Sequence, residues 1–314
     1  MTGHPAFLFP GQGSQATGML SDLAAAHPQV RMTFEEASDA LGFDLWALTQ
    51  SGTKEALDRT ENTQPAMLTA SVAIWRCWRE QGGAMPSVMA GHSLGEYSAL
   101  ACAGAFTFED AVRLVKQRGN LMQQAVPAGA GAMAALLGLD DDAVSALCRD
   151  QANGQVLEPV NFNAPGQVVI AGTRDAVQRA VDASKDAGAK RAVILAVSIP
   201  SHCALMRDAA SLLADALGRI EVHVPSIPVI HNVSVDVAES AAAIRDRLTL
   251  QLYRPVRWVE TITAIADRGV RLAIEAGPGK VLTGLGKRID KRVTTLPLFD
   301  PDGLSKALEA SSNA

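Results

Sequence analysis

Aromatic side chains make up only 4% of the 314 residues, and the chain has just four cysteines, at positions 77, 102, 148 and 203. The cysteines are scattered without a CxxC pair. That argues against a disulfide frame or a zinc site, and for reduced thiols in a cytoplasmic protein. No apolar run approaches the ~18 residues that a membrane-spanning helix needs. Residues 1–5 carry no cationic stretch followed by an apolar one, so no signal peptide is visible. Positive charge is not in excess either: 28 Lys and Arg stand against 33 Asp and Glu, a net charge of −5. This balance argues against a nucleic-acid binder working by bulk charge. There is no internal repeat and no low-complexity tract. What the chain does have is 48% hydrophobic residues, enough for a large core and too many for a disordered chain. Abundant Ala and Gly with few aromatics suit helices packed closely on a sheet better than a β-sandwich. At about 150 residues per domain, the length suggests two units, or one large domain with an insertion.

The order of elements favours an insertion. The first strand is expected at residues 6–10, ending in the loop Gly11-Gln12-Gly13-Ser14-Gln15. Helical patterning follows to about residue 48 and again over 65–81, and residues 87–91 read as a short buried strand running into a helix over 93–103. Thr107 with Asp110 three residues on is a capping box that opens a helix to about residue 125. The middle of the chain then changes character. Strands at 132–139, 156–163, 167–172 and 191–197 alternate with helices capped by Asp140 and Thr173, the second closed by Gly188. The order β-α-β-β-α-β is that of a ferredoxin-like unit. The expected fold class is therefore α/β. A parallel-sheet body resembling the α/β-hydrolases, residues 1–128 and 198–314, carries an inserted ferredoxin-like small domain at 129–197. The body resumes with helices near 204–217 and 244–252. It finishes with a strand at 271–275, the turn Gly277-Pro278-Gly279 and a helix into a basic end, and residues 305–314 read as a helical turn that frays.

Chemistry concentrates in Gly91-His92-Ser93-Leu94-Gly95, between a strand and a helix. A serine there sits on a sharp turn with its hydroxyl presented, flanked by glycines that avoid a Cβ clash, and the helix N-terminus supplies free amide donors where an oxyanion would develop. The plainer alternative, that Ser93 merely caps the helix, gives no reason for the second glycine. A serine nucleophile needs a base, and the chain has six histidines. His4 and His27 fall at exposed edges, His92 packs beside the nucleophile, and His223 and His231 flank a Pro-rich strand region. His202, after the turn Ser198-Ile199-Pro200-Ser201, lies where an α/β body presents catalytic groups, although a structural role fits such a loop histidine as well. Arg118 stands in an apolar stripe with Leu114, Val115, Leu121 and Met122 as its helical neighbours. An uncompensated buried charge costs several kcal/mol. Arg118 therefore snorkels to solvent, joins a structural ion pair, or waits for a partner carried by a substrate that ends in a carboxylate.

These segments, taken together, resemble the malonyl-CoA:acyl carrier protein transacylases. The residues that carry the resemblance are Pro10-Gly11-Gln12-Gly13-Ser14-Gln15, Gly91-His92-Ser93-Leu94-Gly95-Glu96, Gln117-Arg118-Gly119, Asn161-Phe162-Asn163, Pro200-Ser201-His202, Gln251-Leu252-Tyr253 and Gly277-Pro278-Gly279-Lys280. They run in the family's order from about residue 7 to residue 298, and the likeness is to the free-standing enzyme of bacterial fatty-acid synthesis. The resemblance implies that Ser93 attacks the malonyl thioester while His202 takes its proton and returns it to the departing CoA thiolate. It implies an oxyanion hole from the backbone amides of Gln12 and Leu94, Arg118 on the malonyl carboxylate, and the Gln251 carbonyl orienting His202. The acyl group then passes to the phosphopantetheine thiol of acyl carrier protein in a ping-pong cycle. Gln64 and Asn232 match positions near such a site, and Asn161, Asn163 and Gln167 lie in the small domain facing it. For all five, ordinary amide bonding in turns is an equal alternative.

No metal or cofactor is expected, because a thioester is already activated and no ligand spacing is present. The expected partner is acyl carrier protein, met by a monomer without nucleic acid or membrane. Since the chain is net negative, attraction to an anionic carrier must be local. Lys287 and Arg288, with Lys280, Lys291 and Arg292 around them, form one basic cluster and Lys190 and Arg191 another. A merely solvated helix face is the plainer reading of any single lysine. Two other classes compete: a serine esterase, which shares GxSxG but has no reason to bury an arginine, and a non-catalytic carrier-docking protein. Within the transferases, selection of methylmalonyl or another extender is the nearer alternative, and Ile199-Pro200-Ser201-His202 resembles the malonyl pattern.

Overall fold

A computed structural model describes residues 4–197 and 199–313. Met1–Gly3, Ser198 and Ala314 lie outside the described residues, and with them the first residues read for a signal peptide, the first residue of the turn before His202 and the last residue of the C-terminal helical reading. The described strands are β1 (Ala6–Phe9), β2 (Val88–Gly91), β3 (Gly131–Leu137), β4 (Leu157–Ala164), β5 (Gln167–Thr173), β6 (Arg191–Ile194), β7 (Val229–Ile230), β8 (Leu272–Ala276) and β9 (Thr294–Leu298).

Among the described residues they form two sheets, ordered β7-β2-β1-β8-β9 and β4-β5-β3-β6. Every pairing in the first is parallel. β1, β2 and β8 are buried along their whole length, as strands covered on both faces by helices must be. One face carries a large core around Phe7, Phe9, Trp75, Trp78 and Tyr97, the other a smaller one around Leu8, Trp258, Ile262 and Leu282. The second sheet is antiparallel throughout. The Asp141–Ala152 and Arg174–Ala183 helices pack on it over Leu136, Val144, Leu147, Ile170 and Val177, which is the ferredoxin-like order.

Main-chain bonds stitch β4 of the second sheet to Val256, in the connection ahead of the Trp258–Asp267 helix. Phe162 N–H donates to the Val256 carbonyl at 3.0 Å and Val256 N–H to the Val160 carbonyl at 2.9 Å. This seam hangs β4, with Asn161 and Asn163, over the carboxyl ends of β1 and β2. Glu275, buried at the end of β8, accepts from Leu282 N, Thr283 N and Thr283 Oγ1 and so anchors the start of the Val281–Ile289 helix.

Several local expectations need correction. The long helix spans Thr60–Glu80 and does not start at Pro65. Proline lacks one N–H, so a single turn can precede it at the loss of one bond, and Asn62 and Thr63 N–H both bond the Arg59 carbonyl to close that turn. The helix expected from Ser93 starts at Gly95, because Ser93 itself is left-handed. Thr173 precedes its helix, yet its hydroxyl makes no cap bond and is buried without a partner. That helix ends at Ala183, five residues before Gly188. β6 stops at Ile194, short of residue 197. The helical turn expected from 305 is part of a longer helix, Pro301–Ser312, which Asp300 caps through Gly303 N at 2.7 Å.

Candidate active site

β2 ends at Gly91 and the next helix begins at Gly95, so the chain must reverse within three residues. It does so by holding Ser93 at φ 52°, a conformation that costs a non-glycine residue on the order of 1–3 kcal/mol. Close packing holds it there. A Cβ on Gly91 would fall 1.9 Å from the Gly95 carbonyl, and one on Gly95 would fall 1.9 Å from the Phe9 oxygen at the end of β1. Asn232 locks the bend from beneath, its Oδ1 accepting from Ser93 N at 2.8 Å and its Nδ2 donating to the Gly91 carbonyl at 2.6 Å. Leu94 then heads the helix, and the amides after it turn back in a tight first turn, Gly95 N to the His92 carbonyl, Glu96 N to Ser93 and Tyr97 N to Leu94.

His202 is also left-handed, at φ 65°, and is buried. Its Nδ1 lies 2.7 Å from the Gln251 carbonyl and its Nε2 lies 2.8 Å from Ser93 Oγ. A carbonyl only accepts, so Nδ1 carries the proton and the Nε2 lone pair faces the serine hydroxyl, which donates to it. Burial pushes the imidazole pKa from 6.5 down to about 3, with the nearby Arg118 charge acting in the same direction. The histidine is thus a neutral base already aimed at the serine proton.

Arg118 projects from the buried face of the Phe108–Ala125 helix, which Thr107 caps by accepting from Asp110 N as expected. The guanidinium is fully buried, and burial lowers its pKa. Its Nη1 donates to Gln64 Oε1 at 3.0 Å and its Nη2 to Gln251 Oε1 at 3.1 Å, while Nε has no partner. Both acceptors are neutral amides. The Tyr97 ring covers one face at 5.2 Å.

A cavity of about 230 Å³ opens beside the Ser93–His202 pair, lined by Gln12, Thr60, His92, Asn161, Asn163 and Ile199 among others. Asn163 Oδ1 accepts from His92 Nε2 at 2.7 Å, and His92 packs edge-on against Trp258. Not every expected site residue lines the cavity. Arg118 and Gln64 stand behind its wall, with Gln64 Nε2 3.5 Å from Gln12 Oε1, and Asn232 lies beneath the elbow. Gln251 joins the two halves, its Nε2 donating to the Ser93 carbonyl at 2.8 Å and its Oε1 accepting from Arg118. Gln167 stands apart, its Oε1 accepting from Arg288 Nη1 at 2.6 Å. Lys190, Arg191, Lys287 and Arg288 are all exposed, and Leu195, Val197 and Val281 from the same two segments line the cavity. Sequence reasoning missed Glu96 and gave His231 no role. Both are buried under the elbow, 2.7 Å apart, and an acidic residue inside an otherwise apolar helix start was the available signal.

A serine–histidine dyad at a strand-to-helix elbow, on a parallel sheet, defines an acyl-transferring enzyme of the covalent class. The acyl transferase domain family matches residues 6–305. The chain belongs to the malonyl CoA-acyl carrier protein transacylase family. It is 59% identical to that transacylase of Salmonella typhimurium over 96% of this chain and 98% of the relative. The Bacillus subtilis counterpart is 45% identical over 97% and 96%. A malonyl-transacylase solved in complex with its type II PKS acyl-carrier protein superposes with a TM-score of 0.97 at 58% identity, covering 98% of this chain and 99% of that one. The Coxiella burnetii transacylase also gives 0.97, at 51% identity, covering 98% and 97%.

The state of His202 has a kinetic consequence. The base works as neutral imidazole, so lowering its pKa moves the acid limb of the pH profile down, away from 6.5. The rate of Ser93 acylation is expected to stay level as pH falls through 6.5 and to drop only well below it. A half-loss of kcat/KM centred near 6.5 would contradict this.

Proposed function

We propose that this chain moves the malonyl group of malonyl-CoA onto the phosphopantetheine thiol of acyl carrier protein, in fatty-acid biosynthesis, through a malonyl-serine ester. One observation carries the reading: a dyad ready for acyl chemistry shares Gln251 with a fully buried arginine whose hydrogen bonds go to neutral amides. A guanidinium has five N–H donors, two of them used here, so its remaining donors can take a carboxylate and gain a direct charge partner.

In the first half-reaction Ser93 Oγ bonds to the thioester carbon as its proton passes to His202 Nε2. The oxyanion is held by the backbone amides of Leu94 and Gln12, and collapse expels the CoA thiolate, which takes the proton back. The carrier thiol repeats the sequence in reverse sense. Gln251 replaces the usual acid through its main-chain carbonyl, which keeps the histidine tautomer fixed without adding charge. Gln64, Asn161, Asn163 and Asn232 frame the site, and residues 129–197 act as the unit that roofs it. The thioester supplies the activation, so the reaction draws on no metal or cofactor. The chain acts as a cytoplasmic monomer, and Lys190, Arg191, Lys287 and Arg288 steer the acidic carrier to the cleft.

Arg118→Ala is expected to lower malonyl transfer roughly a hundred-fold or more, the loss of two charge-assisted bonds, while acetyl transfer is spared or improved. Equal losses for the two acyl groups would remove the carboxylate role. Lys287→Glu should raise the KM for carrier protein more than that for malonyl-CoA, an effect that fades with added salt. Carrier kinetics that do not change would refute steering by this cluster.

A further inference from the structure

Glu96 is the second residue of the helix that follows the elbow, and none of it is exposed. A carboxylate there must be met by donors. Oε1 accepts from His231 Nδ1 at 2.7 Å, and Oε2 accepts from the Asn232 backbone N–H at 2.9 Å and from Gln251 Nε2 at 3.0 Å. Glu96 touches neither Ser93 Oγ nor the His202 ring in these bonds, yet two of its three partners are the residues that hold the site in place. Asn232 fixes the elbow, and Gln251 faces Ser93, His202 and Arg118 at once.

The polarity of the Gln251 amide is the point of leverage. Arg118 can only donate, so it demands the amide oxygen. The Ser93 carbonyl and Glu96 can only accept, so they demand the amide nitrogen. Turned over, the amide would set its NH₂ against the guanidinium and its oxygen against two acceptors. The Ser93 carbonyl alone gives one bond against that reversal, and Glu96 adds the second, charge-assisted one. We propose that Glu96 is a positioning residue for acyl selection: it fixes the Gln251 amide with its oxygen toward Arg118 and thereby sets the guanidinium for the acyl carboxylate. This rests on the reading of Arg118 as the carboxylate site.

The test compares malonyl and acetyl transfer by Glu96→Ala, Glu96→Gln, Arg118→Ala and the Glu96→Ala/Arg118→Ala double variant, with thermal unfolding as the check on folding. Glu96→Ala should lower the malonyl-to-acetyl ratio of kcat/KM roughly ten-fold or more. Glu96→Gln should restore it, because its oxygen still accepts from Asn232 and Gln251 while its NH₂ turns to His231 in the other tautomer. The double variant should show no lower ratio than Arg118→Ala alone, since Glu96 acts through that arginine. Equal losses of both activities in Glu96→Ala, or losses in the ratio that add in the double variant, would overturn the proposal and leave Glu96 as structural support. An unchanged ratio in Arg118→Ala would instead remove the carboxylate reading itself. Should Glu96→Ala not fold, neutron diffraction on the unaltered protein decides. Deuterons of the Gln251 amide directed at Glu96 and the Ser93 carbonyl are expected, and deuterons directed at Arg118 would overturn the proposal.

Discussion

Ser93 is held in a backbone conformation that a serine does not choose, and most of the site follows from what keeps it there. The bend survives because β1, β2 and the helix after Gly95 approach so closely that only glycine fits at positions 91 and 95. Asn232 closes the bend from below through both ends of its amide. On that fixed backbone the hydroxyl stands 2.8 Å from His202 Nε2. The strain is therefore borne by the packing of the elbow glycines against each other and against the end of β1.

The same packing governs the electrostatics. His202 and Arg118 are both taken out of water, and burial acts on each toward its neutral form. For a histidine that is the working form of a base. For an arginine it leaves a cation hydrogen-bonded to two amide oxygens and covered by the Tyr97 ring, with no carboxylate bonded to it directly, a state that favours an incoming anion. Gln251 couples the two: its main-chain carbonyl holds the imidazole, and its side chain spans from the Ser93 carbonyl to the guanidinium. One residue thus touches the base, the elbow and the buried guanidinium at once.

Much of this was legible because local chemistry dictated it. The Thr107 and Asp140 caps, the β-α-β-β-α-β order and the elbow glycines each leave a short-range mark on the sequence, and the helices and sheets they imply are present. What failed was set by distant partners. β7 has two residues, and β9 runs Thr-Thr-Leu-Pro-Leu with an exposed first residue, so neither shows the periodicity of a buried strand. Thr173 has the right place for a cap, but its hydroxyl is buried and makes no bond to the helix amides. Gln167 lies in the small domain, but its side chain is held by Arg288, 121 residues later, a partner its own neighbourhood does not reveal. Glu96 and His231 lie 135 residues apart, and nothing in either neighbourhood announces the other.

Of these elements the hydroxyl at the bend is the one on which every other assignment depends. Intact-protein mass spectrometry after brief mixing with malonyl-CoA tests it directly. The protein should gain the mass of one malonyl group, lose it on addition of holo acyl carrier protein, and gain none when Ser93 is replaced by alanine. A Ser93→Ala protein that still carries the acyl group, or an unaltered protein that transfers it without ever becoming acylated, would contradict the covalent route through this serine.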